Sequence, residues 1–400
     1  MLPREIHISE YQYELPEEKI ALFPVEPRDS SKLLKLEDKK ITHHSFHDIS
    51  SLVPARSLLV FNQTKVIQAR LMLQKDSGAA IELLLLEPVE PSSEVLLTMG
   101  SKKTVVWECM VGNKKRWKEQ SIVSQNGICF SWENREKNWV RISWNDDRVF
   151  AELLAESGEM PITPYLNRAS TDKDKEVYQT VYAHNEGSVA APTAGLHFTD
   201  QVFQSLKERA IGAEFITLHV GAGTFKPVST TNALEHDMHA EKMYFTEENI
   251  RNLIQHNETI IPVGTTSMRS LESLYWFGVG LINKKLDTFK IPQYFPYENE
   301  TTINKSIALT AVLDFMNIHN VETLEGLTSI YIVPGYQFRM CDGIITNFHQ
   351  PGSTLMLLIA ALIGDTWKDV YQVALNNDYR FLSYGDSSLL LANKKKDAYW

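Results

Sequence analysis

Five short loops of this chain combine glycine with a hydroxyl, an imidazole or a carboxylate: PTAGLHF (192–198), LHVGAGTF (218–225), VGTTSMRS (263–270), TNFHQPGST (346–354) and SYGD (383–386). Glycine lets backbone approach a ligand closely, and these side chains are the kinds that hold and protonate small polar molecules. His197, His219 and His349 each follow an apolar run, and an imidazole near neutrality can accept a proton. Asp342 and Asp386 are candidates to protonate a leaving group or to bond a base edge. Thr193, Gly195, Gly221, Gly223, Thr265 and Thr266 suit a ligand-lining role through backbone N–H groups and hydroxyls. Arg269 and Arg28 carry planar forks that match a carboxylate or phosphate. For each of these residues a turn, cap or core role is the competing reading.

Other chemistries find less support. His236 and His239 are three apart, as zinc ligands can be, but no HExxH and no cysteine partner accompanies them, and no metal is expected. VGAGTF lacks the third glycine of a dinucleotide fingerprint, with Lys226 in its place. Neither a GxSxG elbow nor a phosphate-binding GxxxxGK loop occurs, so hydrolase and nucleotide triphosphatase readings are unsupported.

The elements that position these loops can be read from periodicity. SVAA runs into PTAGLHF and then TDQVFQSLKERA; IIPV runs into GTTS and then MRSLESLYW; GIITNFHQPG runs into STLMLLIAALIG. Strand, turn and helix in succession predict an α/β sheet with ligands outside the carboxyl ends of its strands. Thr199 and Thr246, each followed by acidic residues, read as helix N-caps. The longest apolar run, Leu355–Ile363, reads as a buried helix, well short of the roughly twenty residues that span a bilayer. Between 277 and 328 the pattern predicts a helical excursion around SIALTAVLDFMNIH.

Composition changes near residue 72 and again near 145. Five of the eight tryptophans fall between, in alternating runs such as VVWECMV, ICFSW and NWVRISW separated by polar turns, which predicts a strand meander. From Ser101 to Trp144 nine Lys or Arg face four Glu, inside a chain whose net charge is −10. The layout expected is a discontinuous α/β catalytic domain, 1–71 and 150–400, carrying an inserted small β-barrel domain, 72–149. Lys114, Lys115, Arg116 and Lys118 offer an RNA-backbone contact surface, against the plainer reading of a solvated face. Three cysteines without CxxC spacing fit a reducing compartment. No signal-peptide pattern opens the chain, so a cytoplasmic protein without a membrane anchor is expected.

At these loops the sequence resembles the S-adenosylmethionine:tRNA ribosyltransferase-isomerase family of queuosine biosynthesis. YELPEEKIALFPVEPRDSSKLL, LVFNQTKVIQARL, MPITPYLNR, EVYQTVYAHNEGSVAAPTAGLHFT, FITLHVGAGTFKPV, VGTTSMRSLES, PGYQFRMCDGIITNFHQPGSTL and YRFLSYGD match its blocks in order, from about Tyr11 to Leu391. The resemblance implies an enzyme that takes the ribosyl group, not the methyl, of S-adenosylmethionine. The acceptor it implies is 7-aminomethyl-7-deazaguanine at the wobble position of tRNA, and the products epoxyqueuosine-tRNA, adenine and methionine. It also implies an α/β domain with an inserted β-barrel, S-adenosylmethionine as co-substrate with no prosthetic group, and tRNA as partner; a monomer is favoured. Departures stand at Gln63, Lys65 and Gln68, at Glu235 and Ala240, and at Gln350 and Gly352. A paralogue with another acceptor, a non-catalytic RNA-binding protein and a conventional methyltransferase are the other readings.

Overall fold

A computed structural model describes residues 5–75, 77–219, 228, 230–299 and 301–392. The fold is mixed α/β, with two sheets forming the main body, a third, barrel-like sheet set into it and a short parallel pair of Thr64–Val66 with Asn185–Ser188.

The larger main sheet runs, in spatial order, Ile260–Pro262, Leu58–Asn62, Gly212–His219, Glu241–Thr246, Thr323–Thr328 and Lys290–Ile291. Its first three strands are parallel, as the strand-turn-helix pattern predicts. Gly212–His219, Glu241–Thr246 and Thr323–Thr328 then pair antiparallel. The second sheet orders Gly343–Asn347, Ser387–Leu391, Lys32–Glu37 and Lys40–Ser45. A parallel bridge between Val263 and Ile345 joins the two sheets edge to edge. The strands nearest this seam are buried along their whole length, including their polar ends at Asn62, Thr346 and Asn347.

Helices cover these sheets. Thr199 caps Asp200–Glu208 by accepting from Val202 N (3.3 Å), and Thr246 caps Glu247–Gln255 by accepting from Asn249 N (3.1 Å). Thr354–Ile363 is apolar on nearly every face because it lies in the largest hydrophobic cluster. Lys305–His319 is the helical excursion, packed through Ala308, Leu309, Val312 and Met316 against that same cluster.

The barrel-like sheet is antiparallel throughout: Arg70–Gln74, Ala80–Glu90, Thr104–Gly112, Trp139–Ser143, Cys129–Asn134 and Ser121–Val123 in spatial order. Lys75, just after the first of these strands, pairs with Glu119 (2.7 Å) and donates to the Arg116 carbonyl (2.7 Å), nearly closing the ring. The sheet encloses its own hydrophobic cluster, in which Trp107, Trp117 and Trp144 are buried. At its base Arg70 and Glu159 face each other, with Arg70 N donating to the Glu159 carbonyl (3.2 Å) and Glu159 N to the Arg70 carbonyl (2.7 Å).

Candidate active site

The seam between the two main sheets positions the site. Strand Ile260–Pro262 turns at Gly264 into helix Thr265–Ile282. Gly264 sits at φ +90°, a conformation open to glycine and strained for other residues, and its N–H donates to the Ile345 carbonyl (2.8 Å). No side chain caps this helix, so its first-turn N–H groups keep their positive partial charge. Strand Gly343–Asn347 leads through His349 and Gln350 to helix Thr354–Ile363, which Ser353 does cap through Met356 N (3.3 Å).

Four of the five loops meet here around one cavity. Thr193, Thr265, Thr266 and His349 line it, together with Tyr165, Asn347, Gln350 and Ser383; no Lys, Arg, Asp or Glu is among its described lining residues. Asn347 is anchored by its amide, which donates to the carbonyls of Leu382 (3.0 Å) and Ser383 (3.3 Å). Tyr165 pairs with the Ser383 hydroxyl and accepts from Ser383 N (3.2 Å). The cavity wall is therefore cross-linked between loops far apart in the chain.

Of the three histidines, His349 alone lines the cavity. It is 9% exposed, its Nε2 lies 3.1 Å from Thr346 Oγ1, and burial holds its pKa down at about 4, so the imidazole is neutral near pH 7. His197 is buried behind the wall, against the Phe46 ring, with Nδ1 2.8 Å from Ser31 Oγ. Burial takes its pKa to about 4 as well, with Asn347 acting in the opposite direction. His219 ends its strand away from the cavity lining, edge-on to Tyr244 and 3.4 Å from Thr64 Oγ1. Burial, then Lys242, lowers its pKa to about 4. Gly221 and Gly223, in the fifth loop, lie outside the described residues.

The remaining candidates are engaged within the fold. Asp386 accepts from Lys32 N (2.9 Å) and Arg380 N (2.8 Å), and Asp342 accepts from Ile260 N (2.9 Å); neither lines the cavity. The Arg269 fork gives Nη1 to the buried carboxylate of Glu241 (2.6 Å) and Nε to the Ile330 carbonyl (3.2 Å). Arg28 donates to the carbonyls of Gln179 (2.5 Å) and Glu176 (2.8 Å). Gly195 does not line the cavity either: a Cβ there would lie 1.9 Å from Tyr182 Oη, so packing demands the glycine. Among the described residues no group of three His, Cys, Asp or Glu side chains could hold a metal, and no helix is long and apolar enough to cross a membrane.

In the barrel-like sheet Lys115, Arg116 and Lys118 are exposed, whereas Lys114 is held by the Arg135 carbonyl (2.8 Å) and Asn138 Oδ1 (2.5 Å). Tyr165, Asn347 and Ser383 escape the sequence reading because a lone phenol, amide or hydroxyl near a strand end looks structural. Gln350 was visible there as a departure, and it stands in the cavity wall.

The buried histidines carry a measurable consequence. An ordinary histidine of pKa 6.5 in the unfolded chain binds a proton that folded His197 and His349 refuse until about pH 4. Stability is therefore complete above about pH 6.5 and falls as pH drops toward 4, by on the order of 3 kcal/mol for each residue. Denaturant midpoints across this window should show the decline, and His197→Asn should flatten it; an unchanged slope in that variant would exclude His197 as a source.

Comparison with known families settles the chain's kinship. The family model described as "Queuosine biosynthesis protein" matches residues 8–390. The chain belongs to this queuosine biosynthesis family. A family relative from Sulfurihydrogenibium sp. (strain YO3AOP1), named S-adenosylmethionine:tRNA ribosyltransferase-isomerase, is 36% identical over 396 residues, covering 96% of this chain and 99% of its own. Another of the same name from Halothermothrix orenii (strain H 168 / OCM 544 / DSM 9562) is 37% identical over 396 residues, with coverage of 96% and 99%. Among solved structures, the crystal structure of S-adenosylmethionine tRNA ribosyltransferase from Thermotoga maritima is similar at 27% identity and a TM-score of 0.46, covering 96% of this chain and 100% of that one. Four of the loops at which the sequence resembles this family, PTAGLHF, VGTTS, TNFHQPGS and SYGD, contribute wall residues.

Proposed function

We propose that this protein transfers and isomerises the ribosyl moiety of S-adenosylmethionine onto 7-aminomethyl-7-deazaguanine in tRNA, in the cytoplasm, giving epoxyqueuosine-tRNA, adenine and methionine. The observation that carries this reading is the convergence of four family loops on one cavity beside the uncapped start of helix Thr265–Ile282. Those N–H groups suit the carboxylate of a methionyl group, and the hydroxyls of Thr193, Thr265 and Thr266 suit a ribose. The sulfonium acidifies the adjacent 5′ carbon. In this reading neutral His349 takes a proton from that carbon. The acceptor's amine bonds to C1′ as adenine leaves with the amine's proton, and the ring C1′–O bond opens to an alkoxide on C4′. The C5′ carbanion bonds to C1′ and closes the carbocycle, leaving the alkoxide to attack C5′. Epoxide closure then breaks the carbon–sulfur bond and releases methionine. His219 is the second candidate base, and its place next to the fifth loop keeps it in the test.

Incubation of the protein with S-adenosylmethionine and a tRNA bearing the aminomethyl-deazaguanine tests the reading by mass spectrometry. Adenine, methionine and epoxyqueuosine should appear together; S-adenosylhomocysteine instead would establish a methyltransferase. Gln350 in the cavity wall favours a second reading, another acceptor, and adenine release with a different RNA but not this one would select it.

The barrel-like sheet is the tRNA contact in this proposal. Reversing Lys115, Arg116 and Lys118 to glutamate should weaken tRNA binding at least about tenfold at low salt and flatten the log–log salt dependence by about one per lost phosphate contact. Filter binding across a salt series measures both, and an unchanged affinity would mean that these side chains are merely solvated.

A further inference from the structure

His349 is gripped on both sides of its Cα by hydroxyls from opposite ends of the chain. Its N–H donates to Tyr371 Oη at 3.1 Å, and its carbonyl accepts from the Tyr13 hydroxyl. The two tyrosine rings lie 5.0 Å apart and share one aromatic cluster with Phe381 (6.1 Å from Tyr13) and Phe348 (5.5 Å from Tyr371). Three residues further along, Gly352 N donates to the Tyr11 carbonyl (3.0 Å), so the amino-terminal segment meets the TNFHQPG loop at both His349 and Gly352. Fixing both peptide groups that flank a Cα fixes the direction of its Cα–Cβ bond. Thr346 Oγ1 then fixes the rotation of the ring that this bond carries.

We infer that Tyr13 and Tyr371 are positioning residues for His349, clamping its backbone so that the imidazole keeps one orientation at the cavity wall. This rests on the reading of His349 as the group that moves the proton. The two hydroxyls satisfy the peptide N–H and C=O that burial would otherwise leave unpaired, and they do so at the residue whose imidazole stands in the wall. A misplacement of about 1 Å is enough to cost roughly a hundredfold in rate, which gives such a clamp its value.

Tyr13→Phe and Tyr371→Phe, singly and together, test it in the intact chain. Each single variant should lower kcat for adenine release at least tenfold with KM for S-adenosylmethionine within threefold. The double variant should fall little beyond the worse single one, because both act through the same backbone. A raised KM with kcat preserved, or losses that simply multiply, would overturn the inference. A second measurement needs no turnover: ¹⁵N-histidine spectra of the protein alone, with the His349 ring assigned by its disappearance in His349→Gln. The His349 ring signals should shift or broaden in Tyr13→Phe while those of His197 and His219 stay in place; an unmoved His349 signal refutes the clamp. If wild-type protein releases no adenine, the proposed function fails, and the spectra still decide the clamp.

Discussion

His349→Ala is expected to reduce adenine release at saturating S-adenosylmethionine by roughly 10²- to 10⁴-fold, the range that a positioned proton acceptor supplies. His349 is the one candidate base in the wall of the cavity where the family loops converge, and it is neutral at working pH because burial disfavours its cation. A low pKa makes an imidazole a weaker base, so the compensation must come from placement and from the acidity that a sulfonium gives its neighbouring carbon. The control is His219→Ala, assayed alongside. Loss in His349→Ala with smaller loss in His219→Ala assigns the proton to the cavity wall; the reverse order assigns it to the strand end. Direct binding of S-adenosylmethionine should survive in His349→Ala, since Thr346 is the one side chain that its ring bonds among the described residues.

The largest expected loss of stability comes from Glu272. It lies inside helix Thr265–Ile282 with 0% exposure, and its carboxylate accepts from Tyr336 Oη (2.7 Å) and from the backbone N–H groups of Arg339 (3.0 Å), Met340 (2.9 Å) and Cys341 (3.1 Å). Tyr336 in turn accepts from Trp276 Nε1 (2.8 Å). The carboxylate thus gathers the loop that precedes strand Gly343–Asn347, and with it the approach to His349. Glu272→Ala strands the buried N–H groups of Met340 and Cys341 and the half-buried one of Arg339, and should cost about 3–5 kcal/mol in denaturant unfolding. Glu272→Gln keeps one acceptor oxygen and should cost less. A loss below about 1 kcal/mol for alanine would show that water can replace the carboxylate and that the loop is held by packing alone.

Local elements were legible in the sequence because their causes are local. The caps at Thr199 and Thr246, the buried helix at Thr354–Ile363 and the alternating strands of the barrel-like sheet follow from side chains a few positions apart. Strand pairing was less legible: the α/β pattern at Gly212–His219 says nothing of the antiparallel neighbours that Glu241–Thr246 and Thr323–Thr328 provide. The site divides in the same way. Thr193, Thr265, Thr266 and His349 reach one cavity because each ends a strand or opens a helix on the same side of the seam. Arg269, Asp386 and Asp342 carry suitable chemistry, but Glu241 and the backbone of Lys32 and Ile260 claim it from distances along the chain that no spacing rule reaches. Gly195 looks like a ligand glycine and serves Tyr182. Asn347 was hidden because its partners, the carbonyls of Leu382 and Ser383, belong to a loop 35 and 36 positions away.

The facing peptides of Arg70 and Glu159 bring together two points of the chain that enclose the barrel-like sheet. The strand that opens this sheet meets the chain again at Glu159 through a pair of backbone hydrogen bonds, so the two ends of the stretch lie side by side. Ends that close let one folding unit be spliced into another without moving a host strand. Residues on the outer face of the barrel-like sheet can then change without moving the strands that frame the cavity at the seam.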